Sequence, residues 1–142
     1  MTTTPQQVHD AIRTHFKTEF ADVNPTLEVV YDNSPDPHED DEMWLRFTVL
    51  TGDRNQIDIT GDPGQANKTR RIGMATTQIF ERIEEGNKQS LIIANDLELV
   101  FDMKTIAPGI KFRAASTSNV GRTRDGKWWQ TNVVCSFLCD DV

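Results

Sequence analysis

Only two cysteines occur in the 142 residues, Cys135 and Cys139, and their spacing removes two roles at once. Four positions apart on one extended strand, their Cα atoms lie about 13 Å from each other, whereas a disulfide reaches about 7 Å. A C-x3-C pair without companion histidines is also a poor zinc set. Both are therefore expected to be free thiols acting as small hydrophobes of a half-buried strand, in keeping with a reducing compartment. Long apolar runs are missing too: nothing approaches the roughly 18 residues a membrane-spanning helix needs. Met1-Thr2-Thr3-Thr4-Pro5 lacks the basic-then-apolar order of a secretory leader, so a soluble chain with no membrane partner is expected. Basic residues are in deficit, 15 against 22 acidic, for a formal charge of −7. The chain as a whole has no attraction for polyphosphate, and any nucleic-acid contact would need a local patch. Internal repeats and low-complexity tracts are absent. A content of 37% hydrophobic and 26% charged residues suits one globular domain over 1–142 with one core.

Two helices are legible. Thr4-Pro5-Gln6-Gln7 sets a capping threonine before proline at the first helical position and glutamine at the third. Val8, Ala11, Ile12, Phe16 and Phe20 then recur at steps of three and four, and Asn24-Pro25 ends the run. The second helix covers residues 88–101, with Asn87 as its cap and Ile93, Leu97, Val100 and Phe101 on one stripe.

Strands are expected at 26–31, where Leu27, Val29 and Tyr31 alternate, and at 43–50, whose second face (Trp44, Arg46, Thr48, Leu50) is only partly polar. A turn at Thr51-Gly52-Asp53 leads to a short strand around Ile57 and Ile59. Residues 71–80 fit either a helix or a strand, and strand is assigned, leaning partly on the resemblance given below. Ile110 opens another strand, with Phe112 and Ala114 facing one way and Lys111 and Arg113 the other. A polar loop, 116–126, precedes the longest strand, 127–138, in which Trp129, Val133, Cys135 and Phe137 share a face, and residues 140–142 form an acidic tail. Two further polar loops, 32–42 and 61–67, have no apolar anchor and are expected to be mobile. The fold class is α+β: a central, mostly antiparallel sheet of about six strands flanked by two helices on one face, in the order α-β-β-β-β-α-β-β.

No catalytic, cofactor or metal set is expected. The nearest approach to a phosphate loop, residues 61–69, has Asn67 where glycine must precede the lysine, and Asp62 would repel phosphate. The acidic segment around Asp36, Glu39, Asp40, Asp41 and Glu42 lacks the spacing of a calcium loop. His9 and His15 fall on different faces of helix one, and His38 stands alone. No nucleophile elbow, H-E-x-x-H or Cys/His pair is present. Lys68, Arg70 and Arg71 form the one basic cluster, with Arg122, Arg124 and Lys127 beside Trp128 and Trp129 as a second contribution. Such a set can bind single strands, or its cations can pair with carboxylates within the fold or on a neighbour.

Several blocks in order carry a resemblance. They are the first helix followed by L-x-V-x-Y, the strand 44–50, the run Arg70-Arg71-Ile72-Gly73-Met74-Ala75-Thr76-Thr77-Gln78-Ile79-Phe80, the helix ending Asp96-Leu97-Glu98-Leu99-Val100-Phe101, and Trp128-Trp129-Gln130-Thr131-Asn132-Val133-Val134-Cys135-Ser136-Phe137. Together they resemble the tail terminator, or tail completion, proteins of tailed bacteriophages over nearly the whole chain. The chain departs where relatives carry a Pro-Ile-Gly-Thr-Gly-like turn: residues 81–87 are charged and keep only Gly86.

The resemblance implies a structural, non-enzymatic virion protein made in the host cytoplasm. It would assemble as a homohexameric ring at the head-proximal end of the tail, cap the major tail tube protein, and dock a head–tail connector or stopper. DNA would pass through the lumen without specific binding. Asp36, Glu39, Asp40, Asp41 and Glu42 on one side, and Lys68, Arg70 and Arg71 on the other, are the candidate subunit or tube contacts. Two alternatives are another neck component, such as a head completion or stopper protein, and a nucleic-acid-handling enzyme.

Overall fold

Helix α1 (Pro5–Val23) starts where its capping residues dictate. The amide of Thr4 donates to Gln7 Oε1 at 2.9 Å, and the amide of Gln7 donates to Thr4 Oγ1 at 3.2 Å, so two otherwise orphaned donors are satisfied reciprocally. Val8, Ile12, Phe16 and Phe20, four residues apart, form its buried edge. Phe16 sits at the centre of the core, stacked on Phe47 at 4.1 Å between ring centroids. Helix α2 (Lys88–Phe101) buries Ser90, Ile93, Ala94, Leu97, Val100 and Phe101. The two helices are clamped where His15 Nε2 donates to the Val100 carbonyl oxygen at 2.8 Å. This computed structural model describes residues 4–23, 29–31, 43–56, 69–83, 88–106, 109–124 and 126–141.

The strands are β1 (Val29–Tyr31), β2 (Met43–Gln56), β3 (Thr69–Arg82), β4 (Thr105–Ile106), β5 (Ile110–Arg122) and β6 (Trp128–Asp141). They form one mixed sheet in the spatial order β1-β2-β3-β6-β5-β4, antiparallel except for the parallel pair β1–β2. The α+β class, six strands and two helices are those expected. Among the described residues three strands precede α2 and three follow it. The strand expected around Ile57 and Ile59, the loops 32–42 and 61–67, and the Asn87 cap lie outside the described residues. The sixth described strand is the two-residue β4, too short to leave a period-2 signature.

Four local expectations change, each because backbone pairing with a distant strand overrides a local signal. The turn at Thr51-Gly52-Asp53 is instead strand: Thr51 opposes Gly73, Arg54 opposes Arg71, and a bulge between them absorbs the intervening residues. The polar stretch from Ser116 is not a loop but the second half of β5, paired with Val134 down to Trp129; only residues around Thr123–Lys127 turn. That turn is closed by the Gly126 amide donating to the Thr123 carbonyl, with Gly126 at φ 75°. A second bulge, between Phe112 and Ala115, changes the phase of β5, so Ala115 packs on the core while Ala114 is exposed. Finally, Asp140 and Asp141 are the last residues of β6 and not a tail.

Both helices lie on the face that presents Leu45, Phe47, Val49, Ala75, Ile79, Val133, Cys135 and Phe137, which together make the main core. Cys135 and Cys139 are buried free thiols, as expected. Burial, reinforced by the charge of Asp102, pushes the Cys135 thiol from an ordinary value of 9.0 up to about 11. Unfolded chains therefore release this proton earlier than folded ones, so stability is lost as pH rises from 9 to 11. Burial raises the Tyr31 hydroxyl as well, and it acts in the same direction. Urea unfolding at pH 8 to 11 checks the thiol's part: Cys135→Ala should have a shallower pH slope than the wild type.

Candidate assembly surface

Strand alternation sends every second side chain of β2, β3 and β6 away from the helices. The register places Trp44, Arg46, Thr48 and Leu50 beside Phe80, Gln78, Thr76 and Met74, and these in turn beside Gln130, Asn132, Val134 and Ser136. Among the described residues no helix covers this second face. One end is closed by a small aromatic cluster of Val30, Trp44, Phe80 and Trp128, in which Trp44 and Phe80 stack at 4.2 Å and the Arg82 guanidinium lies 4.9 Å from the Trp128 ring centre. The middle is polar. The other end is apolar and open: Leu50 is 59% exposed, Ile72 49% and Met74 39%, around a depression of about 520 Å³ whose rim includes Arg113 and Ser136. Large aliphatic side chains grouped on a solvent face are a feature of contact surfaces.

The sequence-derived contact residues divide. Arg70, at the start of β3, is engaged within the chain: Nε donates to Asp140 Oδ1 at 2.7 Å and Nη2 donates to Oδ2 at 3.0 Å. This two-pronged bond raises the pKa of the guanidinium further. Arg71 points to the other face, half-buried, with Nε buried and without a hydrogen-bond partner among the described residues. Lys68, Asp36, Glu39, Asp40, Asp41 and Glu42 lie outside the described residues. Trp128 and Trp129 project to opposite faces of β6, one in the aromatic cluster and one half-buried on the helix side, so they do not form a shared platform for successive bases.

A family model described as Phage tail terminator protein matches residues 7–137, from the first turn of α1 to Phe137 in β6. The chain belongs to the phage tail terminator family. Tail terminators are structural proteins of the virion tail that work with other tail and head components, and this chain is a phage tail protein of that kind. A solved chain matches the terminator structure with a TM-score of 0.63 at 18% identity, covering 92% of this chain and 94% of that one. At that identity the likeness is one of fold. None of the curated proteins matches the terminator sequence. No described helix of the terminator is long and apolar enough to cross a membrane. The apolar end of the open face escaped the sequence reading, although Leu50, Ile72 and Met74 all carried a signal: each occupies the parity that ought to be polar.

Proposed function

We propose that six copies of the chain close into a ring on the head-proximal end of the tail tube. The ring ends polymerisation by occupying the site of the next tube subunit, and it offers its opposite face to the head connector or stopper. Such a role is steric and calls for interfaces in place of a catalytic group. The observation that carries this reading is the family match over 7–137; the sheet face that no described helix covers, with its exposed apolar end, supports it. Six copies at −7 each amount to −42, and an acidic or neutral lumen lets a genome pass, because cations facing the pore would hold phosphate through counterion release.

Cations on this chain then serve protein contacts. With Arg70 held by Asp140, Arg71 is the stronger contributor of the two, and Asp36, Glu39, Asp40, Asp41, Glu42 and Lys68 supply complementary charge to a neighbour or to the tube. The free chain is a monomer, or exchanges with rings in a salt-sensitive way, since polar-rimmed contacts are weak singly.

Tail length in electron micrographs is the test. Assembly without the chain should give tubes of unregulated length, and adding it back should restore one length; regulated tubes in its absence would overturn the capping role. Arg71→Glu should fold and still give overlong tails, whereas tails of normal length would remove Arg71 from the interface. A tight, salt-insensitive dimer in light scattering would count against ring closure.

A further inference from the structure

Besides its buried side, helix α2 carries a second apolar line. Ile92, Asn95 and Leu99 follow at steps of three and four on the side opposite Ile93, Leu97 and Val100, and the line runs on to Met103 just past the helix end. Leu99 is 62% exposed and Met103 71%, so this line has no counterpart within the described fold.

Met103 is the more telling residue. It sits at φ 56°, in the left-handed region, while the other described positions of positive φ are all glycines: Gly109, Gly121 and Gly126. A methionine there carries backbone strain that glycine would relieve, and it displays an apolar side chain to solvent as well. Two unfavourable features at one surface position point to a use for the side chain.

We propose that the line Ile92–Leu99–Met103 of one copy seats in the apolar depression of Leu50, Ile72 and Met74 on the next copy. This rests on the ring reading above and names its subunit contact. The helix layer and the open sheet face lie on opposite sides of the same molecule, so no copy can satisfy both patches by itself or by a two-fold exchange of one patch. Joining them head to tail is a heterologous contact, the type that propagates and closes into a ring.

Charge agrees with shape. The exposed line ends at the C-terminus of α2, where the helix dipole is negative, with Asp96 flanking it. The depression has Arg113 on its rim and Lys111 on the neighbouring strand, opposite Leu138. Both patches are small and bordered by polar groups, which accounts for a contact that needs the ring or the tube to persist.

Single-cysteine exchange tests the contact, because both native thiols are buried. Leu99→Cys and Met74→Cys proteins, mixed and treated with a short bifunctional thiol reagent, should join to each other and not to themselves. The double variant should give a ladder that stops at six. Met103→Gly should melt no lower than the wild type and yet self-associate at least tenfold more weakly, a combination that a purely structural residue would not show.

Rings that form without any Leu99–Met74 bridge, or that survive Met103→Gly unchanged, would overturn the contact and leave the capping role standing. Leu99–Leu99 bridging alone would overturn both the contact and ring closure. Efficient Leu99–Met74 bridging in tails whose length the chain does not control would keep the contact and overturn the capping role.

Discussion

Gly73→Ala should lower the stability of this protein by about 3 kcal/mol, and Gly73→Val by more, equivalent to a fall of about 10 °C in melting temperature for the alanine variant. A methyl group at this position would lie 2.4 Å from Phe137 Cζ and 2.5 Å from the Leu50 carbonyl oxygen. The glycine is required for space, not for conformation, since its φ is outside the left-handed region. On β6, Phe137 stands directly opposite, and its ring lies over the gap left by the missing side chain while packing at 5.9 Å against Phe112. Moving that ring disturbs the main core, and the Leu50 oxygen cannot move without breaking the β2–β3 ladder. Thermal unfolding of Gly73→Ala with and without Phe137→Leu checks the account: the second change should restore part of the loss but not all, because the backbone clash remains. A Gly73→Ala protein as stable as the wild type would refute it.

Glu81→Ala should cost about 2–4 kcal/mol. Glu81 is buried on the helix side of β3, where its Oε2 accepts hydrogen bonds from both the amide and the hydroxyl of Ser90. Ser90 is the third residue of α2, so its amide is one of the donors that a helix start leaves without an internal partner. The carboxylate therefore caps α2 from another element, and its charge suits the positive end of the helix dipole. Removing it strands two buried donors. Glu81→Gln retains an accepting oxygen and should lose roughly half as much. Urea unfolding of the two variants should rank them in that order; equal losses would show that only the packing volume of the side chain matters.

These two residues mark the difference between what is local and what is not. The first helix was legible to the residue because each of its determinants lies within the helix or one position before it: a threonine, a proline, a glutamine and an apolar edge of period four. The second helix was legible along its buried stripe, but its cap from Glu81 was invisible, since nothing in the local pattern ties a carboxylate at the end of one strand to a serine nine residues later. Arg70 and Asp140 are seventy residues apart and meet only because β3 and β6 pair in one particular register.

The sequence by itself determined the two helices, the alternating cores of β2 and β6, the free state of the two thiols, the α+β class and the family. The helices, the cores and the class follow from side-chain periodicity, and the thiols from their spacing, all of which act over a few residues; the family follows from the order of the sequence blocks that resemble it. Tertiary structure alone decided that Thr51–Gln56 and Ser116–Arg122 are strand, that bulges reset the phase of β2 and β5, and that among the described residues no helix covers one face of the sheet, which has an exposed apolar end. Backbone hydrogen bonds do not discriminate between side chains, so a polar segment becomes strand whenever a distant partner presents a matching edge. Which parity then meets solvent depends on where the helices land, a decision made by the packing of the whole core.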